Sequence, residues 1–113
     1  MPKAIIAGGR HYVGTVKAAA WLDALRVELS IDTVISGCAT GADAFGEKWA
    51  DRREIKIERF PADWYRLGKS AGPIRNEQMA NAADICILFP GGTGTADMKR
   101  RATAHGLIVR EYA

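Results

Sequence analysis

Five short apolar runs alternate with longer stretches of helical periodicity along the whole sequence. After its lysine, "KAIIAG" (3–8) has no polar residue, the pattern of a strand covered by helices on both faces. "DTVISG" (32–37) and "DICILF" (84–89) read the same way, and "LIVREY" (107–112) supplies a last strand. "IKIERF" (55–60) alternates more and suits an edge. Between these runs, "TVKAAAWLDALRVELS" (15–30) distributes Val16, Ala19, Ala20, Leu22, Leu25, Val27 and Leu29 as a helix does. "GADAFGEKWADRRE" (41–54) gathers Ala42, Phe45, Trp49 and Ala50 near one face. "PIRNEQMANAA" (73–83) is expected to start a helix at Pro73, where the missing N–H does no harm, and "GTADMKRRATAHG" (94–106) ends at Gly106. Residues 61–72, "PADWYRLGKSAG", show no clear period and are expected to form a long functional loop.

Strands alternating with helices in 113 residues predict one α/β domain over 1–113, a Rossmann-like doubly wound sheet of five mainly parallel strands. With right-handed crossovers and the order 3-2-1-4-5, a crevice opens where the first and fourth strands diverge. No apolar stretch approaches the ~20 residues that span a bilayer, so no membrane association is expected. The start of the chain lacks the long apolar segment of a signal peptide, which makes a cytoplasmic location the expectation. Cys38 and Cys86 are expected to be buried, reduced thiols. His11 and His105 lack partners at ligand spacing, so no metal and no cofactor is expected.

The predicted topology brings three glycine-bearing turns to one rim: "GGRHYVG" (8–14), "SGCATGAD" (36–43) and "PGGTGT" (90–95). Helix N-termini with free amides and partial positive charge attract phosphate, and glycines let a ligand reach that backbone. Pro90, Gly91, Gly92, Thr93, Gly94 and Thr95 are therefore the candidate phosphate loop, with Gly8, Gly9, Ser36 and Gly37 on the same rim. Thr93 and Thr95 can serve as caps or as hydroxyl donors to phosphate. Arg10 follows the first glycine pair and can meet phosphate or base, or stand solvated. Asp43 can cap its helix, bind ribose hydroxyls or act as an acid or base, and Glu47, one turn on, is expected to face solvent. In the long loop, Trp64 and Tyr65 can stack on a base, or Trp64 can pin the loop to the core, while Lys69 can reach a phosphate. The run Lys99–Arg100–Arg101 reads as a wet helix face.

"PGGTGT", "AGPIRNEQMA" and "SGCATGAD" together resemble the SLOG superfamily of Rossmann-like nucleotide-ligand domains, and in particular its YspA/YpsA-related (DUF2493) group. The resemblance implies a nucleotide or nucleotide-derived small molecule as partner. LONELY GUY phosphoribohydrolases, the single-stranded DNA-binding protein DprA and molybdenum-cofactor carriers are more distant relatives. The resemblance to the hydrolases implies cleavage of an N-glycosidic bond, with Asp43 and Asp97 as the carboxylates here, and self-association as a dimer or higher oligomer. The hydrolase pattern has a glutamate where this chain has Met98, one residue after Asp97, and an arginine–lysine pair where it has Arg75 and Asn76. Adjacent helical positions point about 100° apart, so Asp97 does not occupy the glutamate's slot. Arg75 and Asn76 match the YspA-related group and complete the candidate ligand site. A sensor, carrier or sequestering role is the alternative to catalysis. An excess of only three positive charges argues against a nucleic-acid partner.

Overall fold

In the computed structural model, which describes residues 2–113, the sheet is built from β1 (Lys3–Ala7), β2 (Thr33–Ser36), β3 (Lys56–Arg59), β4 (Ile85–Leu88) and β5 (Ile108–Glu111). All neighbours are parallel and the order is β3-β2-β1-β4-β5. Helices α1 (Val16–Leu29) and α2 (Ala42–Arg52) connect the first three strands. A short helix α3 (Trp64–Leu67), a 3-10 turn at Gly68–Ser70 and helix α4 (Ala71–Ala82) lead to β4, and α5 (Thr93–Ala104) leads to β5. The five-stranded doubly wound sheet and its order are those expected from the sequence.

Successive residues of β1 point to opposite faces, as the pleat requires. Ala4 and Ile6 join a core with Ala18, Leu22 and Leu25 of α1 and Ala42, Trp49 and Ala50 of α2. Ile5 and Ala7 join a second core with Met79 and Ala80 of α4 and Met98 and Ala102 of α5. With both faces of the central strands covered, β2 and β4 are buried at every position, whereas β3 and β5 are partly exposed edges. Helices α1 and α2 are tied across their outer surfaces by Asp23, which accepts from Trp49 Nε1 (3.0 Å) and from Arg53 Nη2 (2.9 Å).

Phe89, the residue after β4, is 1% exposed and organises an aromatic cluster under the rim. Tyr12 stacks on it at 4.7 Å, Trp21 and Phe45 meet it edge-on at 5.6 Å, and Tyr112 lies 5.4 Å away. These residues come from the turn after β1, from α1, from α2 and from the segment after β5, so one ring packs the whole upper edge on that face.

Two local expectations are corrected. Residues 61–72 are not a structureless loop: Asp63 caps α3 by accepting from Arg66 N (3.2 Å), and α4 begins at Ala71, leaving Pro73 still inside its first turn. The helix expected over 15–30 is present as α1, with Val16 and Val27 exposed because the apolar set of that segment is wider than the stripe that meets the sheet. Cys38 is exposed at a left-handed φ of 64° in the turn after β2, whereas Cys86 is buried.

Truncating Phe89 to Ala should cost about 3–5 kcal/mol, the range for a lost core aromatic; urea unfolding should show a lower midpoint at an unchanged slope. The thiols should also separate. Burial, with the Glu111 charge adding to it, pushes the Cys86 thiol up to about 12, so Ellman's reagent should titrate one thiol per native chain and two after denaturation.

Candidate functional site

The parallel pairing of β1 with β4 continues beyond the strands. Phe89 N donates to Ala7 O (2.9 Å) and Gly9 N to Pro90 O (2.9 Å), which fastens the turn after β1 to the turn after β4. Gly91 must be glycine, because a Cβ there would lie 2.6 Å from Gly9 N and overlap Thr95 Oγ1. The two turns flanking the point where the strand order reverses are thus brought together.

Helix α5 rises from this junction. Its N-cap is Gly92, which has no side chain to cap with, and the helical ladder starts only at Ala96 N to Gly92 O (3.1 Å). The amides of Thr93, Gly94 and Thr95 precede that ladder, in the position that carries the positive end of the helix dipole. A Cβ on Gly92 or Gly94 would meet nothing within 4 Å, and neither residue has a left-handed φ. No internal contact demands glycine at either place; their smallness leaves the helix start open from outside.

The turn after β2 behaves differently. Its amides are used internally: Cys38 N donates to Ser36 Oγ (3.1 Å), Ala39 N to Asp43 Oδ2 (3.1 Å) and Ala42 N to Gly9 O (3.1 Å). Gly41 caps α2 at a φ of 72° and packs against the Gly9–Arg10 backbone. The third turn of the rim therefore braces the first, with the Cys38, Ala39 and Ala42 amides committed inside the protein.

Helix α4 contributes Arg75 and Asn76 from below. Arg75 Nη1 donates to Gly37 O (2.5 Å) and Nε to Asn76 Oδ1 (3.1 Å). Asn76 Nδ2 donates to Asp97 Oδ2 (3.0 Å) and to Gly94 O (3.3 Å), which steadies the first turn of α5. Asp97 in turn accepts from Arg101 Nε (2.9 Å) and pairs with Arg100. Arg101 reaches Glu77 (3.2 Å), which also holds His105 Nε2 (2.7 Å). A continuous polar chain thus runs from the end of α5 to the carbonyl after β2; of the expected wet face, Lys99 and Arg100 are exposed and Arg101 is drawn into this chain.

The two candidate carboxylates have opposite electrostatics. Burial pushes Asp97 up, but the bonds from Arg101 and Asn76 and the charges of Arg101 and Arg100 outweigh it and hold the group below its usual range. Asp43 is 6% exposed; burial pushes its carboxyl up, and the Ala39 amide and the Arg75 charge only partly offset this. Burial likewise lowers Arg75, against the pull of Asp43. Asp97 is held by its partners in the charged form, whereas burial shifts the Asp43 carboxyl upward.

These elements enclose a cleft of about 670 Å³. Its wall takes in Gly8, Gly9 and Arg10 after β1, Asp43, Trp64 and Lys69, Arg75 and Asn76, and Gly92, Thr93, Gly94, Thr95 and Asp97. Ser36, Gly37, Pro90 and Gly91 lie outside this wall. Ser36 is 1% exposed and its hydroxyl donates to Glu47 Oε2 (2.5 Å). Glu47 also holds Arg59 (3.0 Å) and is half-buried rather than solvent-facing, because the buried serine draws it inward. Trp64 is not in the core: it is 47% exposed, its ring edge lies against Gly72, and the Arg10 guanidinium sits 5.3 Å from its centroid. Tyr65 is fully exposed and off the cleft wall. Gly72, Met79, Met98 and Arg100 line the cleft without having been singled out as ligand contacts, since their inward placement depends on how α4 packs on α5. Met98 is 1% exposed, part of the core beneath the cleft.

A doubly wound parallel sheet with a glycine-flanked helix start at its switch point defines a Rossmann-like domain. Residues 2–67 match the family described as the YspA, cpYpsA-related SLOG family. The chain is also similar to the Gene 61 protein of Mycobacterium phage D29, at 37% identity over 124 aligned residues covering 99% of this chain and 97% of the phage protein. The chain belongs to the YspA, cpYpsA-related SLOG family, whose membership points in general to a nucleotide-related ligand. Among the described residues no helix is long and apolar enough to cross a membrane.

The raised carboxyl of Asp43 gives a pH signature. The folded chain keeps this proton to higher pH than the unfolded chain does, so the associated stability is present below the unfolded carboxylate range, ~3.9, and is lost as pH rises through the folded value. Relative to Asp43→Asn, which does not titrate there, the wild-type melting temperature should decline as pH rises from about 4 toward neutrality. A difference that stays flat over that range would contradict the assignment.

Proposed function

We propose that this chain binds a phosphorylated nucleotide or nucleotide-derived small molecule in the β1/β4 cleft, with the phosphate against the leading amides of α5. One observation carries the reading: an uncapped helix start, flanked by two glycines that no internal contact requires, lies on the wall of a 670 Å³ cleft. Clefts of roughly 300–1,000 Å³ are the usual size for small-molecule sites. Arg75 has two donor nitrogens committed to Gly37 and Asn76, which leaves others of its five N–H groups for the ligand. Arg10 and Lys69 add charge at the rim, Thr93 and Thr95 add hydroxyls, and Asp43 stands where ribose hydroxyls can meet it.

Cleavage of an N-glycosidic bond is a second reading, favoured by Asp43, a buried carboxyl held above its usual range on the cleft wall. Asp97 does not support it, being ionised and fully partnered. Met98, in the position of the hydrolase glutamate, brings no proton-transfer group. The binding reading stands without turnover, as a sensor, carrier or sequestering protein would require.

A thermal-shift series with nucleoside 5′-mono- and diphosphates and nucleotide sugars should raise the melting temperature with at least one ligand class. Saturation at 100 times Kd contributes about 2.7 kcal/mol. Gly92→Asp supplies the missing cap from within the chain; it should melt within a few tenths of a kcal/mol of wild type yet lose the response to phosphorylated ligands. If no ligand shifts the wild type, or if the variant responds equally, the phosphate assignment fails. Mass analysis of ligand recovered after denaturation separates the two readings: intact nucleotide means binding alone, whereas free base from wild type but not from Asp43→Asn means hydrolysis.

A further inference from the structure

The main cleft has a neighbour of about 290 Å³ that contains Cys38, Pro61 and Ala62 in its wall. Arg10, Ala39, Trp64 and Arg75 line both cavities and so form the partition between them. The exposed part of that partition is the Arg10–Trp64 pair. Both side chains are exposed, and the contact joining them is a cation–π interaction at 5.3 Å, a weak bond when solvated.

The smaller compartment is not built for a second anion. The nearby amides of Cys38 and Ala39 are spent on Ser36 Oγ and Asp43 Oδ2, and the Thr40 hydroxyl is spent on Arg10 O (3.1 Å). Arg75 is already engaged with Gly37 O, and the buried Asp43 carboxyl flanks the same glycine. What this compartment still offers is the indole of Trp64, the planes of two guanidinium groups and the apolar surface of Pro61 and Ala62. Indole and guanidinium planes stack on flat rings regardless of the hydrogen-bonding pattern at the ring edge.

We propose that the ligand is bipartite: its phosphate lies on α5 in the large compartment, and its flat, uncharged ring enters the small one past a displaced Arg10–Trp64 pair. This rests on the ligand reading above and adds to it where the ring goes and what admits it. The specificity of the site then comes from ring stacking beside the turn after β2, and the phosphate loop contributes affinity common to all phosphorylated ligands.

Cys38 lines only the smaller compartment and is the exposed thiol of the chain's two cysteines, so it reports on occupancy there. The rate of its alkylation by iodoacetamide is to be measured by mass spectrometry with nucleoside monophosphates of each base, ribose 5-phosphate, inorganic phosphate and pyrophosphate. At least one nucleoside monophosphate should slow alkylation by about tenfold, while ribose 5-phosphate raises the melting temperature and leaves the rate unchanged. Ala62→Phe, which fills the small compartment, should weaken that nucleotide by about tenfold, or ~1.4 kcal/mol, and leave ribose 5-phosphate binding as it was. Nucleotides that raise the melting temperature without protecting Cys38, or ribose 5-phosphate or pyrophosphate protecting it equally well, overturn the bipartite site alone. Absence of any thermal response to every phosphorylated probe instead sinks the ligand reading on which it rests.

Discussion

The parallel pairing of β1 with β4, carried one step past the sheet by the Gly9 N to Pro90 O bond, sets everything above it. In a doubly wound sheet these neighbouring strands send their chains to opposite faces: β1 leads to α1 on one side, β4 to α5 on the other. Their exits must diverge, and the space between them has to be bridged or left open. Here the bridge is a single backbone bond at the base, and the opening above it is the cleft. The crowded glycine, Gly91, makes the bridge possible, and the uncrowded ones, Gly92 and Gly94, keep the helix start accessible.

Two supports keep that geometry rigid, one on each side of the sheet. On the α1–α2 side the aromatic cluster around Phe89 packs the turn after β1 against the end of β4. On the α4–α5 side the polar chain from His105 through Glu77, Arg101, Asp97 and Asn76 to Arg75 fixes α4 relative to the first turn of α5. Asp97 belongs to this second support. Its carboxylate orients Asn76, which holds the Gly94 carbonyl, and so acts on the ligand site through another side chain. A carboxylate engaged in this way stabilises a helix start that lacks a cap of its own. Asp43 has the reverse arrangement, with little solvent and few donors, and it retains the chemical freedom that Asp97 has given up.

Much of the architecture was legible before any coordinates, because short continuous apolar runs such as "DICILF", alternating with longer helical stretches, fit strands covered on both faces. The strand order was expected from the βα alternation and right-handed crossovers, and residues 92–95 of the candidate phosphate loop stand on the cleft wall. Misreadings cluster where local pattern is silent about neighbours. Residues 61–72 carry no period because α3 and its 3-10 turn are too short to show one. Glu47 looked like a solvent-facing helix residue, but the buried Ser36 hydroxyl, eleven positions earlier, turns it inward. Cys38 looked like an ordinary strand-end thiol, yet a left-handed turn lifts it into solvent.

The sequence by itself determined the sheet, its order and the edge at which a ligand can meet helix amides, since these depend on periodicity and on residues adjacent in the chain. Only the tertiary structure decided which amides stay free. Three turns reach the same rim; after β2 the Cys38, Ala39 and Ala42 amides are consumed by Ser36, Asp43 and Gly9, whereas no side chain caps the amides that open α5. It likewise separated two aspartates of identical chemistry into one braced by Arg101 and Asn76 and one buried on the cleft wall with its carboxyl pushed upward. The physical reason is the same in both cases: a hydrogen-bond donor or a charge has its value set by the partners and the water around it, and those come from parts of the chain that the local sequence does not name.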